Sequence, residues 1–444
     1  METIGIIGGG PAGATAAERL ASGGARIRVL VFEEKLGWEK PCGGGLTHKA
    51  LRRYPFLLDA TEPHTLIRDA EFVAANGDAV RLQLARPLAI YSRSVLNSLL
   101  LDRACEAGAE VIAERVLGFE RRGDGWELQS RNGRYFCDRL ILAAGARTAL
   151  RRRLLPDFGP DDFIQTFGYY APGGDGPVRV QFFENFEGYA WAFPRPDHLS
   201  IGIAGKIGAS AMAGLKSRLH AFMRAFGYDS DAALKSLCED SRRSGDVPIA
   251  GSGKSTGSAV RTPPLQRDGR VFTQTLRAPI FSHVLPTLSR ASWKNLTLAG
   301  PGWALAGDAA GLVDPITGEG IYFAMRSGEL LADSILEGVP ERYPERVRRD
   351  FVRKLAFGAR LSHRFYLGTF LGESSVTRMI EYARRSRAFR QLMQDLIDGS
   401  QTYPSLAARV CWTFVRSFGD LLRSSGDSMI GGPWSGSSPG TAKV

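Results

Sequence analysis

The sequence predicts an α/β protein in which a domain with a parallel sheet carries an inserted antiparallel β-sheet domain and a helical C-terminal region. Three observations predict this arrangement. An apolar strand, a glycine-rich turn and a helix follow one another over residues 3–20. Apolar and polar residues alternate at 178–182 and at 199–203, which is typical of strands. Apolar residues recur at helical spacing over 347–355, near the start of the C-terminal region.

The first elements form a dinucleotide fingerprint. The opening strand runs into Gly8, Gly10 and Gly13. Glycine is needed at these positions for a tight turn, for close approach of a pyrophosphate and for packing of the helix on the strand. A second strand ends at Glu33, whose carboxylate is placed to accept hydrogen bonds from both ribose hydroxyls. These residues predict a Rossmann-like domain with a dinucleotide on the helix N-terminus.

A second glycine-rich segment narrows the choice of nucleotide. Residues 303–311 read Trp-Ala-Leu-Ala-Gly-Asp-Ala-Ala-Gly, and Asp-Pro-Ile-Thr-Gly-Glu-Gly-Ile follows from residue 314. The pair resembles the second FAD motif of the hydroxylase-like flavoproteins. The resemblance implies that Asp308 bonds the FAD ribitol or ribose. It also implies that the turn and helix start at Gly318, Gly320 and Ile321 face the flavin ring. Two motifs in this order favour FAD over a nicotinamide dinucleotide.

Further motifs resemble the geranylgeranyl reductase family of FAD-dependent oxidoreductases, within the p-hydroxybenzoate hydroxylase-like superfamily. They are Glu-Glu-Lys at 33–35, Lys-Pro-Cys-Gly-Gly at 40–44, Gly-Tyr-Ala-Trp-Ala-Phe-Pro at 188–194 and the Gly-Asp pair at 307–308. The resemblance covers roughly residues 1–400. It implies that Cys42, Gly43 and Gly44 lie at the isoalloxazine, and that Tyr189, Trp191 and Phe193 line a lipid pocket. The other implied FAD contacts are Ala12, Glu34 and Val116.

Two departures from the family pattern limit what carries over. Relatives usually show Arg-x-x-Phe-Asp before a long helix, whereas this chain has Arg-Ser-Val-Leu-Asn from Arg93 to Asn97. Arg93 therefore carries over as an FAD contact, but the aromatic and acidic residues do not. Ala144 stands where relatives often carry the Asp of an Asp-Gly pair. No hydrogen bond from that Asp to a nicotinamide cofactor is expected here.

Composition fits a large globular enzyme. A chain of 444 residues with 44% hydrophobic content is expected to form two or three domains. Its five cysteines are dispersed without a Cys-x-x-Cys pair, and its six histidines lack metal spacing. We therefore expect no disulfide framework and no metal site, as in a reducing cytoplasm. No apolar run reaches 18 residues and no secretory leader precedes the first strand, so we expect no membrane span and no secretion.

The positive charge is concentrated in the C-terminal part. From Glu341 onward there are 17 Lys and Arg against 9 Asp and Glu, a net of +8 of the chain's +11. One interpretation is a helical region with solvated basic faces. The other is a surface attracted to anionic lipid, which would give peripheral contact with the inner membrane face through the basic helices. Nucleic acid is not expected as a partner, because no aromatic stacking pattern accompanies the basic residues.

Both FAD motifs must meet around one ligand, so the predicted FAD-binding domain is discontinuous. It has a crossover helix at 94–108 and a following strand at 110–113. Residues 251–256 mimic a phosphate loop, but Pro248 occupies a required glycine position. The predicted boundaries are 1–75, 94–150 and 291–340 for the FAD-binding domain, 76–93 and 151–290 for the substrate domain with a loop-rich insertion at 244–282, 341–423 for the helical C-terminal region, and 424–444 for a disordered tail.

The family resemblance implies reduction of isolated carbon-carbon double bonds in a prenyl lipid or prenyl diphosphate by hydride from FAD. Such an alkene also needs a proton, in a dry site. Cys42 is the candidate catalytic residue, and Tyr189 is an alternative relay; the competing interpretation of Cys42 is a small residue that fits beside the flavin. No second nucleotide fingerprint is visible, so NADPH would bind transiently, or a reduced redox protein would supply electrons.

Two other functions fit the same motifs. A flavin monooxygenase or halogenase of an aromatic or polyketide metabolite is the first, because one fold hosts many chemistries. The Trp-x-Trp-x-Ile-Pro signature of halogenases is absent, and the segment Trp-Ala-Phe-Pro at 191–194 matches it only in part. An electron-transfer flavoprotein is the second. Aromatic residues in a predicted pocket favour an organic substrate over this last function.

Overall fold

The structure is a computed structural model that describes residues 1–24, 26–206, 211–228, 280–370, 372–399, 401–406 and 408–409. Most of the predicted insertion at 244–282, the phosphate-loop mimic at 251–256 and the predicted tail at 424–444 lie outside the described residues. Residues 280–282 of the predicted insertion are described, and they begin a strand rather than a loop.

The strands are numbered in chain order. They are β1 (Glu2–Ile7), β2 (Ile27–Phe32), β3 (Gly45–Leu46), β4 (His64–Val73), β5 (Ala79–Tyr91), β6 (Glu110–Ile112), β7 (Val116–Arg122), β8 (Gly125–Ser130), β9 (Arg134–Cys137), β10 (Arg139–Leu142), β11 (Phe163–Pro172), β12 (Val178–Phe182), β13 (Gly188–Pro194), β14 (His198–Lys206), β15 (Ile280–Pro286), β16 (Ala299–Gly300), β17 (Trp303–Leu305), β18 (Thr369–Phe370) and β19 (Glu373–Ser374).

The helices are numbered in the same way. They are α1 (Pro11–Ala21), α2 (His48–Arg53), α3 (Phe56–Asp59), α4 (Arg93–Glu106), α5 (Ala211–Ala225), α6 (Arg290–Lys294), α7 (Ile321–Leu336), α8 (Tyr343–Val347), α9 (Arg353–Leu367), α10 (Ser375–Arg385) and α11 (Arg387–Asp398). Single 3-10 turns lie at Ala149–Arg153, Pro160–Asp162, Gly307–Ala310 and Pro340–Arg342, and a π-helical turn at Arg348–Val352 joins α8 to α9.

The first sheet has six strands in the order β16-β17-β10-β1-β2-β6. Its central strands pair in parallel, and only β16 runs antiparallel to its neighbour. Such a sheet needs helices on its faces, because both faces are apolar. Helix α1 supplies one of them and packs against α4 and α7. Gly328 of α7 makes this contact close, since a Cβ there would lie 2.2 Å from the Ala12 carbonyl oxygen.

The second sheet has eight strands in the order β15-β11-β14-β13-β12-β4-β5-β3. All its pairings are antiparallel except that of β12 with β4. We expected residues up to 75 with the FAD-binding sheet, but β4 lies in this second sheet. The reason is that β4 and β5 form a hairpin, closed by the hydrogen bond from Ala74 N to Asp78 O, and pair on both sides of a register shift between Ile67 and Asp69.

The two faces of the second sheet are covered by different parts of the chain. Helix α5 packs on β11, β13 and β14. Helices α10 and α11 pack on β5, where Val80, Leu82 and Leu84 alternate toward the apolar core. Between β6 and β10 the chain forms a separate, smaller sheet of β7, β8 and β9. The predicted α/β fold with an inserted, largely antiparallel sheet and C-terminal helices is confirmed.

Local capping residues explain where the last two C-terminal helices begin and where α11 ends. Ser374 and Ser386 cap α10 and α11 by accepting hydrogen bonds from the amides of Thr377 and Phe389. Helix α11 ends at Gly399, which has a left-handed backbone (φ 64°). The apolar residues predicted at helical spacing over 347–355 face the core of the first sheet. Within the described part of the chain, no helix combines the length and apolar character that a membrane crossing requires.

Candidate flavin and substrate site

A cavity of about 940 Å³ extends from the glycine-rich turn after β1 to the apolar face of the second sheet. It contains the predicted residues from both ends of the chain. The residues predicted at the cofactor or the substrate that line this cavity are Gly8, Gly10, Ala12, Glu33, Glu34, Cys42, Gly43, Gly44, Arg93, Val116, Tyr189, Trp191, Phe193, Asp308, Gly318, Gly320 and Ile321. Gly13 is the exception, because it packs behind the turn rather than along the cavity wall.

The three glycines of the first turn have different surroundings. Gly8 has φ +106°, and a Cβ there would lie 2.5 Å from the Ala143 carbonyl oxygen. A Cβ on Gly13 would lie 1.9 Å from the Gly8 carbonyl oxygen, so glycine is required for the turn to close on α1. Gly10 has no atom within 4 Å of such a Cβ. It therefore presents open backbone to the cavity at the N-terminus of α1, which suits a phosphate group.

Glu33 lies at the end of β2, beside the glycine turn. Its Oε2 accepts a hydrogen bond from Gly9 N at 2.9 Å, and its Oε1 accepts one from Lys35 N at 3.0 Å. Arg93 begins α4 and is 4% exposed. Its Nη2 donates to Asn97 Oδ1 at 3.2 Å, whereas its buried Nε has no hydrogen-bond partner among the described residues. An orphaned cationic donor at the cavity wall suits an anionic or carbonyl-bearing ligand.

Asp308 is paired with Lys40 inside the cavity. Lys40 Nζ lies 2.7 Å from Asp308 Oδ2, and both side chains are largely buried. Burial alone would raise the pKa of Asp308, but the charge and hydrogen bond of Lys40 outweigh it and lower the pKa. Nearby His283 has its pKa lowered by burial and by the charge of Lys40. The carboxylate is therefore ionised and can accept hydrogen bonds from a hydroxylated ligand.

The second glycine turn brings residues predicted at the cofactor close to Tyr189, which is predicted at the substrate. Gly318 has φ +70°, and a Cβ there would lie 3.1 Å from the hydroxyl oxygen of Tyr189. A Cβ on Gly320 would lie 3.4 Å from Asp308 Oδ1. Helix α7 begins at the next residue, Ile321. Bulk at either glycine would enter the cavity, so the turn leaves room for a planar ring.

The Cys42 loop is fixed at its backbone. Arg195 Nη2 and Ser200 Oγ both donate to the Cys42 carbonyl oxygen, at 2.7 and 2.9 Å. The amide of Gly44 donates to Cys42 Sγ at 3.3 Å. A Cβ on Gly43 would lie 2.8 Å from the ring of Phe193, so the loop lies directly against β13. The thiol therefore stands at the cavity wall on an ordered loop.

A buried ion pair supports that loop. Arg195 is fully buried, and its Nη1 lies 2.7 Å from Glu39 Oε1. Glu39 also accepts hydrogen bonds from the amides of Arg93 and Ser94, which start α4. Burial raises the pKa of Glu39, but the charge of Arg195 and these hydrogen bonds lower it overall. The pair joins the Cys42 loop, the start of α4 and the turn between β13 and β14.

The predicted substrate residues lie on β13. Tyr189 donates from its hydroxyl to the Thr317 carbonyl oxygen at 2.5 Å. Trp191 donates from Nε1 to Ser200 Oγ at 3.4 Å, and Phe193 lies against the Cys42 loop. Helices α9 to α11 close the opposite side of this part of the cavity. The apolar residues that line it together with β13 are Phe72, Leu88, Val178, Val180, Phe182, Phe365, Met379, Met393, Leu396 and Ile397.

Sequence reasoning missed several of these residues. Glu39 and Arg195 carry no local motif, since their partner lies 156 positions away. The pairing of Lys40 with Asp308 has no local signal either, because the two residues are 268 positions apart. The C-terminal helices were assigned a surface role, although α11 also has apolar residues at helical spacing. Among the described residues, no group of three or more His, Cys, Asp or Glu side chains is arranged to hold a metal.

The residues present fit FAD. The open backbone at Gly10 suits a pyrophosphate. Asp308, whose pKa is lowered, suits the hydroxyls of a ribitol, and the Nε of Arg93, which has no partner among the described residues, suits a polar ring edge. The fold and this site define the class of FAD-dependent oxidoreductases.

Comparisons with known proteins narrow the class. The chain is 25% identical over 364 residues to chloroplastic geranylgeranyl diphosphate reductase of Nicotiana tabacum, covering 76% of this chain and 66% of that protein. It is 25% identical over 376 residues to digeranylgeranylglycerophospholipid reductase 1 of Methanopyrus kandleri, covering 78% and 86%. The chain thus spans about two thirds of the length of the plant relatives it matches.

Solved structures agree on the fold. A geranylgeranyl bacteriochlorophyll reductase-like protein of Thermoplasma acidophilum superposes with a TM-score of 0.67 at 19% identity, covering 92% of this chain and 99% of that one. The flavin-dependent brominase Bmp2 superposes with a TM-score of 0.61 at 18% identity, covering 94% and 98%. No family model matches the chain. The predicted resemblance to the geranylgeranyl reductase family of FAD-dependent oxidoreductases is confirmed.

Proposed function

We propose that this protein reduces carbon-carbon double bonds of a geranylgeranyl or related polyprenyl chain, carried by a prenyl lipid or a prenyl diphosphate. The observation that carries the proposal is the continuity of the cavity, which runs from the glycine turns to an apolar pocket between β13 and the C-terminal helices. The relatives are named for reduction of geranylgeranyl groups in a diphosphate and in a glycerophospholipid.

The proposed chemistry asks for a dry site. Reduced FAD, when bound, supplies a hydride to one carbon of the alkene. The aromatic and aliphatic walls exclude water, which suits a substrate without polar groups along its chain. We assign the FAD contacts to the two glycine turns, Glu33, Arg93 and Asp308, and the chain contacts to Tyr189, Trp191 and Phe193. Two electrons per reduced bond would come from NADPH or from a reduced redox protein.

We propose that the Cys42 thiol helps to hold the flavin-facing loop in a reactive geometry, since it accepts a hydrogen bond from the Gly44 amide. Its thiol lines the cavity, and its carbonyl is held by Arg195 and Ser200. Tyr189 is a poor candidate for the proton donor of the reaction, because its hydroxyl already donates to the Thr317 carbonyl oxygen.

The direct test is anaerobic. Protein reduced photochemically, without a nicotinamide, would be mixed with geranylgeranyl diphosphate or a geranylgeranylated lipid, and products would be weighed by mass spectrometry. We expect a gain of two hydrogens per bond reduced, with oxidation of the flavin. A parallel reaction in air, with an aromatic compound and halide, tests the alternative: oxygen or halide incorporated there, with no alkene reduction in the anaerobic reaction, would support the monooxygenase or halogenase instead. Flavin oxidation only by an acidic protein partner would support electron transfer.

We also propose that the protein meets its lipid substrate at a membrane surface. Leu367 ends α9 and Phe370 follows it; they are 36% and 39% exposed, close in sequence to exposed Arg360 and Arg364. Phe365 of the same helix lines the cavity. An apolar pair among cations is the pattern of an interfacial contact with anionic lipid. Co-sedimentation with anionic vesicles should fall for Leu367→Ser with Phe370→Ser, and equal binding of this double variant would contradict the proposal.

A further inference from the structure

Three tyrosines hold the turn at 314–318, which separates the flavin-facing glycines from the apolar pocket. Tyr189 and Tyr366 donate to backbone carbonyls of this turn at 2.5 Å each. Tyr403 donates to Asp314 Oδ1 at 2.6 Å. The three come from β13, α9 and the segment after α11. Their hydroxyl hydrogens are therefore directed at the turn rather than at a ligand.

Asp314 is the acid that this arrangement leaves facing the cavity. It is 5% exposed and lines the cavity. Its Oδ1 accepts hydrogen bonds from Tyr403 and from the amides of Ile316 and Thr317, the latter two at 2.9 Å. Its Oδ2 makes no hydrogen bond within the described part of the chain. With Oδ1 filled by three donors, the proton of the neutral acid belongs on Oδ2.

The pKa of Asp314 is shifted in the opposite direction from that of Asp308. Burial raises its pKa and outweighs the opposing hydrogen bonds and the charge of Lys49. Asp308 and Glu319 instead form ion pairs with Lys40 and Lys49 at 2.7 and 2.5 Å. The charge of Lys40 lowers the pKa of Asp308, whereas burial raises the pKa of Asp314 and favours its neutral form, which can donate a proton.

We infer that Asp314 is the general acid of the alkene reduction, giving its Oδ2 proton to the carbon that does not receive the hydride. The inference rests on the proposed function. The π bond breaks and two C–H bonds form, one from a hydride of the reduced flavin and one from Asp314. The flavin is oxidised by two electrons. Asp314 is left as a carboxylate, which is stabilised by Tyr403 and the two turn amides, and it regains a proton from water after the product leaves.

Tyr403 is a positioning residue in this scheme. Its hydrogen bond stabilises the carboxylate and therefore lowers the pKa of Asp314 relative to a site without it. Tyr403→Phe removes that bond and keeps the ring beside Gly358 of α9. We expect the alkaline limb of the pH profile to move upward by about one unit, because the neutral acid then persists to higher pH. A purely structural role would not move this limb.

The test measures single turnovers of pre-reduced holoenzyme with geranylgeranyl diphosphate. Asp314→Asn should keep FAD and the turn, because the amide oxygen still accepts from the same donors. Flavin oxidation by the substrate should slow at least about a hundredfold in this variant. Asp398→Asn is the matched control, since Asp398 is also buried and has a raised pKa but does not line the cavity. Its rate should equal that of the wild type.

A second readout does not depend on turnover. Infrared difference spectra on raising the pH should contain a protonated carboxyl band that Asp314→Asn removes and Tyr403→Phe carries to higher pH. Wild-type rates in Asp314→Asn, or an unmoved pH limb in Tyr403→Phe, would overturn the inference. Absence of alkene reduction by the wild type would instead overturn the proposed function, so the two failures are distinguishable.

Discussion

Lys40 Nζ lies 2.7 Å from Asp308 Oδ2, across 268 positions of sequence. This contact joins the loop that carries Cys42 to the Gly-Asp turn, and it places a compensated charge pair within the cavity. A buried carboxylate without its cation would take up a proton, because burial favours the neutral form. Lys40 is therefore expected to control how well Asp308 accepts hydrogen bonds.

Lys40→Met should make flavin retention depend on pH. Without the cation, burial raises the pKa of Asp308, so the carboxylate protonates at a higher pH than in the wild type and loses its charge-assisted hydrogen bonds. FAD absorbance after gel filtration at several pH values measures the effect. Lys206→Met, which alters a lysine away from the cavity, serves as the control and should retain FAD equally at every pH. Identical retention profiles for the two variants would contradict this role of Lys40.

Gly10 and Gly13 should respond differently to alanine. Gly10→Ala finds open space and an extended backbone (φ −72°, ψ −175°), so the protein should fold with near wild-type stability but lose FAD affinity. Gly13→Ala places a Cβ 1.9 Å from the Gly8 carbonyl oxygen and should destabilise the fold itself. Urea unfolding and flavin titration separate the two effects. Wild-type flavin affinity in Gly10→Ala would contradict the assignment of the pyrophosphate to this turn.

Cys42→Ser tests the proposed role of the Cys42 thiol in the flavin-facing loop. The change in volume is small and the carbonyl contacts to Arg195 and Ser200 are unchanged, so FAD content should stay at the wild-type level. We expect turnover to fall at least about tenfold, equivalent to roughly 1.4 kcal/mol of transition-state stabilisation. Steady-state rates with a common electron donor give the comparison. Near wild-type rates in both Cys42→Ser and Cys42→Ala would show that a small residue is all the loop needs.

Arg195→Met should destabilise the protein strongly. It leaves Glu39 without its cation and the Cys42 carbonyl with only one of its two donors, Ser200. Loss of one partner of a buried pair lowers the free energy of unfolding by about 3 kcal/mol. Arg19→Met, which breaks the exposed pair with Asp333, is the control and should change it by less than about 1 kcal/mol. Equal midpoints of urea unfolding for the two variants would refute the argument.

The same pair predicts a pH dependence. The pKa of Glu39 is lowered in the folded state, so its stabilising contribution is complete above the unfolded-state pKa. It is lost as the pH falls through the lower folded-state pKa. In Arg195→Met the cation no longer lowers the pKa of Glu39, so the loss of folding stability at acidic pH should be smaller than in the wild type. Urea unfolding between pH 3 and pH 7 for wild type and variant measures it, and parallel curves would contradict the assignment.

The sequence by itself determined the features whose residues are close together in the chain. The strand, glycines and helix at residues 3–20 predict the Rossmann-like start, because each glycine has a local steric cause. The motifs at 40–44, 188–194 and 303–321 were enough to predict FAD and the family, since each is a short segment with its own geometry. Alternation at 178–182 and 199–203 was enough to predict two strands of the second sheet.

Only the tertiary structure decided which distant groups meet. Glu39 with Arg195, and Asp314 with Tyr403, are 156 and 89 positions apart, and neither pair has a periodic or local signal. The protonation states of Asp308 and Asp314 also depend on burial and on which cation lies near, which no spacing rule contains. The strand at 64–73 joined the second sheet because its hairpin partner follows it there. Electrostatics and pairing across the fold depend on distance in space, and the chain order leaves that distance open.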